Sequence, residues 1–115
     1  MLKITLALRI FYGLGLIAAP ERLATRWLGH GASTAPVQVP LRALGMREVL
    51  LHTGAMAAAL RGGNVRPWLA ASIAGDLTDI ASTIAGRDEL PSGAAPATAV
   101  VAGASAAVSA ALIKL

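Results

Sequence analysis

The chain contains no cysteine, which excludes a disulfide scaffold, thiol catalysis, iron–sulfur ligation and cysteine-based zinc sites. Charged residues make up only 14 % of it, against about 25 % in ordinary soluble domains. A domain of 115 residues exposes much of its surface, and water-facing surface needs a charged coat that this sequence does not supply. Aromatics are scarce too, with two Trp, one Tyr and one Phe. Neither a basic run nor an aromatic-rich segment supports nucleic-acid binding, despite a net charge of +4. No Gly-rich phosphate loop, Ser–His–Asp arrangement or His-Glu-x-x-His motif is present. Apolar types are plentiful: 56 % of the chain against about 45–50 %, with a mean hydropathy of +0.66. A disordered chain would be polar. The composition points to one domain, 1–115, with a bilayer as its solvent, and the modest positive excess to anionic lipid headgroups.

Four apolar segments alternate with polar or Gly/Pro-containing punctuation. They cover about residues 4–19, stopped by Pro20-Glu21-Arg22; 41–60, stopped by Arg61-Gly62-Gly63-Asn64; 67–85, opened by Arg66-Pro67 and closed at Gly86-Arg87-Asp88-Glu89; and 94–113. Each is close to the roughly 20 residues that cross about 30 Å of hydrocarbon. Abundant Ala and Leu without period-two alternation favours helices. The expectation is an all-α, four-transmembrane-helix antiparallel bundle. Glu21 to Leu28 suits a short interfacial helix, because Leu23, Trp27 and Leu28 share a face. Gly29, Gly31, Pro36 and Pro40 then predict an irregular stretch, and the second and third links read as short hairpins. Trp27 and Trp68 fall at the expected membrane boundaries. A soluble Ala-rich helical bundle is the competing reading. A cleaved signal peptide is a second alternative for the N-terminus, although Arg9 interrupts its apolar stretch and Pro20 follows Ala18-Ala19. Orientation is left open: Lys3, Arg61, Arg66 and Lys114 on one side balance Arg22, Arg26, Arg42 and Arg87 on the other.

Five charged residues fall inside the expected spans: Arg9, Arg47, Glu48, Asp76 and Asp79. Each costs about 2.5–3.5 kcal/mol at a helix centre, so such groups pair or face a polar interior. Counting about 1.5 Å per residue puts Arg9 and Asp76 at similar depths from the side carrying the termini. Arg47 and Glu48, entering from the other side, reach the level of Asp79. Arg9 is therefore expected near Asp76, and Arg47 near Asp79 with Glu48 close by. Ser72, Asp76, Asp79 and Thr83 form one stripe on the third helix, and Glu48 and His52 share a face of the second. With His52 neutral the seam holds two positive and three negative charges, which one proton or one bound cationic group balances. Burial and like-charge proximity perturb titration in such a cluster, as at many functional sites. Arg9, Arg47, Glu48, His52, Asp76 and Asp79 are thus the candidate ligand or proton site, and purely structural ion pairing is the alternative. His52 reads first as a hydrogen-bonded core residue. One His with scattered carboxylates is poor ground for a metal site, and His30 reads as a solvated loop residue. No catalytic residue, metal or cofactor is assigned.

Small residues complete the pattern. Gly13, Gly15, Gly54, Gly103, Ala107 and Ala111 allow close helix approach, either within the bundle or, for Gly103-x-x-x-Ala107, between copies. Taken together, Arg9, Gly13, Gly15, Ala19-Pro20-Glu21-Arg22, Gly45-Met46-Arg47-Glu48 and Gly75-Asp76 resemble a family of small four-helix bacterial membrane proteins of unknown function, distantly similar to the DoxX-like group. The resemblance covers most of the chain and implies a multi-pass protein of the bacterial cytoplasmic membrane. It brings no catalytic residues, and nothing here matches the redox chemistry of some DoxX-like subunits.

Three functions follow from these residues. The first is a non-enzymatic subunit or accessory protein whose seam holds a polar headgroup, a cation or a proton. The second is a small proton-coupled transporter working as a dimer, although the first helix has no carboxylate. The third, ranked last, is a membrane enzyme acting on a lipophilic substrate with Glu48, Asp76 or Asp79 as acid or base. The expected partners are the lipid bilayer, a second copy or another membrane protein, and a lipophilic small molecule.

Overall fold

Alanine and leucine lose little side-chain freedom in a helix, and they dominate each apolar segment. In the computed structural model, which describes residues 1–114, the chain is all-α, with no strand among the described residues. Its helices are α1 (Leu2–Ala18), α2 (Pro20–Leu28), α3 (Ala35–Leu60), α4 (Arg66–Ala85) and α5 (Ala94–Ile113). Short 3₁₀ turns, Gly29–Ser33 and Arg87–Glu89, precede α3 and α5. Pro20 cannot continue the α1 hydrogen-bond ladder and opens α2 instead. The segment Pro20–Ser33 is consequently bent by 94° from α1. Gly29 ends α2 at φ 72°, a left-handed backbone that glycine adopts without steric cost.

The start of α3 corrects the sequence expectation. Residues 29–40 were expected to be irregular, but they form a 3₁₀ turn and the first turns of α3. Pro36 sits in the opening turn, where a backbone N–H has no helical acceptor anyway. The carbonyl of Thr34 accepts from the N–H groups of Val37 and Gln38, so the turn is built without it. Pro40 removes one further bond, and both prolines are exposed, so the freed carbonyl is not shut into the core.

Two tightly packed pairs make up the bundle: α1 lies along α3 and α4 along α5, and the pairs join through α3 and α4. The α1–α3 contact is backbone against backbone. A Cβ added to Gly13 would lie 2.6 Å from the Gly45 carbonyl oxygen, and one added to Gly45 would lie 2.6 Å from that of Gly13. Gly15 likewise makes room for Leu23 of α2, and Gly54 for the ring of Trp68. At the end carrying both termini, Leu6, Ala55, Leu69 and Leu112 close the bundle with one apolar residue from each long helix. At the other end, Ala24, Ala32 and Leu41, with Trp27, Leu28 and Val37 against them, seat α2 and its 3₁₀ turn on the start of α3.

Gly103 does not pack within the bundle, since nothing lies within 4 Å of a Cβ built there. Ala107 and Ala111, on the same face, are exposed and Gly103 is half-buried, because α5 turns Thr98, Ala102, Ala106 and Ser109 inward instead. By length and apolarity, α5 is the one helix among the described residues that is suited to crossing a membrane, with a mean hydropathy of 1.7 over its most apolar stretch. α1 qualifies only together with the bent Pro20–Ser33 segment. On this measure the four spans expected from the sequence reduce to one clear helix.

The contrast between the glycines is testable. Gly45→Val should lower stability by about 1–3 kcal/mol, the usual cost of overpacking. Gly103→Ala should leave it unchanged or raise it by up to about 1 kcal/mol through helix propensity. Unfolding followed by circular dichroism in detergent solution measures both, and equal losses would contradict the packing described here.

Candidate functional site

Arg9 lies two turns into α1, above the apolar plug, and its guanidinium reaches all three other long helices. Nε donates to Glu48 Oε2 at 2.7 Å and Nη2 to Glu48 Oε1 at 3.0 Å, joining α1 to α3. Nη2 also donates to Asp76 Oδ1 at 3.0 Å and Nη1 to Asp76 Oδ2 at 3.4 Å, reaching α4. The second Nη1 hydrogen goes to the Ser105 hydroxyl of α5. All five guanidinium N–H groups are thus engaged. Charge-assisted bidentate bonds of this kind are the strongest type available to side chains.

Arg47 makes the second pair. Its Nη2 donates to Asp79 Oδ2 at 2.7 Å and its Nη1 to Oδ1 at 3.2 Å, with a longer contact of 3.5 Å from Nη2 to Glu48 Oε1. Gly75 gives it room, because a Cβ there would lie 3.1 Å from the guanidinium carbon. Nε of Arg47 is the one buried side-chain nitrogen or oxygen among the described residues without a hydrogen-bond partner. His52, 2 % exposed, bridges α3 and α4. Its Nδ1 lies 2.7 Å from the Glu48 carbonyl oxygen and its Nε2 3.0 Å from Ser72 Oγ. A carbonyl only accepts, so Nδ1 carries the proton, and in the neutral ring Nε2 accepts from the Ser72 hydroxyl.

These pairs border a half-open cavity of about 380 Å³ lined by residues from all five helices. Arg9, Glu48, Asp76, Asp79 and Ser105 form its polar wall, and Tyr12, Leu23, Trp27, Leu44, Ala97 and Val101 contribute apolar and aromatic surface. Trp27 is held in place by its indole N–H, which donates to Thr98 Oγ at 2.8 Å. It therefore turns into the bundle and does not serve only as a boundary anchor. On its other side a shallower groove of about 430 Å³ runs past Leu28, Val37, Pro40 and Arg47. Trp27, Leu44 and Asp79 border both spaces.

Depth counting placed the ion pairs well: Arg9 meets Asp76, and Arg47 meets Asp79. Glu48 belongs chiefly to Arg9, at 2.7 Å, and only secondarily to Arg47. His52 joins the cluster through hydrogen bonds, while His30 lies apart and exposed. No group of three His, Asp or Glu side chains among the described residues is placed to hold a metal ion. The sequence reading missed Ser105 and Thr98. Thr98, Ser105 and Ser109 are the hydroxyl residues of α5, spaced by seven and four, and that stripe on an otherwise Ala- and Val-rich helix was the available signal.

What the wall can do follows from its lone pairs. Arg9 has no donor left. Glu48 accepts on both oxygens from two arginines, with His52 Nδ1 at 3.4 Å as well. Asp76 and Asp79 each take one arginine bond per oxygen and keep acceptor capacity beside the cavity. Removing Arg9 leaves Asp76 uncompensated and Glu48 with only its 3.5 Å contact to Arg47, so Arg9→Gln should cost about 3–5 kcal/mol, as for other broken buried pairs. Arg9→Lys, with three donors on one nitrogen, should recover only part of this. Arg47→Gln should cost less than Arg9→Gln, since the Arg47 side chain is 31 % exposed against 15 % for Arg9. Melting curves in detergent would show the order, and equal losses would refute it. Comparison with protein-family models, with curated proteins and with solved structures found no match for this chain, so the likeness to the small four-helix family rests on the residues quoted above.

Proposed function

We propose that the chain is a non-enzymatic integral membrane protein with four spans. It acts as a binding subunit or accessory protein whose Arg/Asp/Glu seam joins the helices and offers a polar wall to a headgroup, a cation or a proton. The observation that carries this reading is the inverted distribution of polarity. Phe11 is 70 % exposed, Leu50 62 %, Leu77 55 % and Val100 70 %, one on each long helix, while Glu48 and Asp76 are 3 % and 4 % exposed. A monomer in water arranges these residue types the other way round. The long axis measures 43 Å, close to the roughly 40–45 Å of a bilayer with its headgroups. The likeness to the small four-helix family implies the bacterial cytoplasmic membrane.

A hydrolytic triad is disfavoured by access, and Glu48, Asp76 and Asp79, which do line the cavity, have no nucleophile beside them other than Ser105, whose hydroxyl accepts from Arg9. Ser72, His52 and Glu48 stand in the order of a nucleophile, base and carboxylate. Ser72 and His52, however, are each 2 % exposed and neither lines the cavity, so no substrate reaches them. They form a strut between α3 and α4.

Because the chain has no cysteine, single cysteines report the membrane directly. In sealed vesicles, Leu50→Cys, Leu77→Cys and Val100→Cys should resist a water-soluble maleimide even after permeabilisation. Arg61→Cys and Asp88→Cys, in the two hairpin links, should react, one from each side. A protein that stays dispersed without detergent and labels equally at all five positions is not a four-span protein.

A further inference from the structure

We propose that the cavity takes the ammonium head of a lipophilic amine that enters sideways from the lipid. This rests on the membrane reading above and adds the ligand class. The mouth is the first observation. Its rim is formed by Tyr12, Leu23 and Val101, which are 44 %, 46 % and 67 % exposed. Tyr12 and Val101 lie in the middle stretches of α1 and α5, so the opening is in the side of the bundle and not at its end. An apolar rim half-way along two helices admits molecules from hydrocarbon and offers nothing to a hydrated ion.

The polar wall is the second observation. Three carboxylates face two guanidinium groups, leaving one negative charge over when His52 is neutral. An anionic head is refused, because every Arg9 donor is engaged, Arg47 with its unpartnered Nε lines the neighbouring groove and not this cavity, and the surplus charge has the same sign. A neutral head leaves the surplus unbalanced. A primary ammonium balances it and brings only donors, to a wall where Asp76 and Asp79, one helical turn apart on α4, have only lone pairs to offer. The Tyr12 and Trp27 rings line the same space and attract a cation over their faces. The volume, about 380 Å³, falls at the lower end of the usual range for small-molecule sites, about 300–1,000 Å³. It holds the head and the first part of a chain, and the rest of the tail remains in lipid.

The test uses the full chain in phosphatidylcholine vesicles, with Trp68→Phe so that Trp27 is the only indole. Decylamine, decanol and decanoate are added to equal membrane loading while Trp27 emission is followed. Decylamine should give a saturable change that decanol and decanoate do not. Asp79→Asn should raise the half-saturating loading about ten- to a hundredfold, as for loss of one hydrogen bond to a charged group. Ala97→Phe, which fills the mouth from α5, should abolish the change without touching the ion pairs. A decanol response equal to that of decylamine overturns the proposal, as does a decylamine response that survives Ala97→Phe. No decylamine response also overturns it, and a carboxylate proton then balances the seam. Leu50→Cys labelling in the same vesicles separates the two readings: a shielded cysteine with no decylamine response removes the amine site alone, and a reactive one removes the membrane reading as well.

Discussion

Arg9 gives each of its five N–H groups to an acceptor on another helix, so α1 cannot rotate or slide without breaking several charge-assisted bonds together. Buried charges contribute little net stability when weighed against apolar replacements, but they penalise every arrangement in which they are unpaired. That asymmetry suits a bundle built of alanine and glycine, whose smooth surfaces distinguish poorly between registers. The Gly13–Gly45 contact brings α1 and α3 together without any side chain to fix their sliding. Arg9 to Glu48 supplies that register, and Arg9 to Asp76 sets the first pair of helices against the second.

The same arrangement explains why there is a cavity. Between α1 and α3 the backbones touch, and between α4 and α5 the helices pack along their length. Across the remaining side, α1 reaches α5 through the length of an arginine, and the helix faces flanking that link carry Ala97 and Ala102, too small to fill the gap. Below the arginine, Leu6 and Leu112 close the space. Above it, the 94° turn at Pro20 brings α2 across the bundle end. Trp27 then enters the gap and is fixed by Thr98. The void is bounded by a charged layer on one side and a tethered aromatic on the other, so collapse on either side would break a buried polar contact.

Much of this arrangement was readable in the sequence, for identifiable reasons. Pro20, Arg66-Pro67 and Gly86 mark helix ends by backbone chemistry that does not depend on tertiary context. Charges inside long apolar segments must find partners at equal depth along the bundle, and this located Arg9 with Asp76 and Arg47 with Asp79. The start of α3 was misread because Pro36 and Pro40 break helices in their interiors but are tolerated near their first turns, and only the fold shows which applies. Gly45 was noticed as part of a motif and not as a backbone contact, since a glycine gives no sign of which neighbour needs its missing side chain. Gly103 shows the reverse case: it carries the helix-packing pattern and faces outward. The cavity itself arises from the angles between helices, which no single segment encodes.

Among the described residues only α5 is both long enough and apolar enough to qualify by itself as a span. Hydropathy scores each helix as though all its faces met the lipid. Arg9 lowers the value for α1, Arg47 and Glu48 that for α3, and Asp76 and Asp79 that for α4, yet in the folded bundle these groups meet one another. What α5 adds to the charged cluster is a hydroxyl, that of Ser105, which scarcely lowers its score. On the four-span reading, then, α3 and α4 fall short because they supply ion-pairing charges, whereas α1 falls short in length, with 17 residues before Pro20 turns the chain. The deficit of α3 and α4 in hydropathy reflects in part side chains that the fold withdraws from hydrocarbon, while Phe11, Leu50 and Leu77 still face outward as Val100 does on α5.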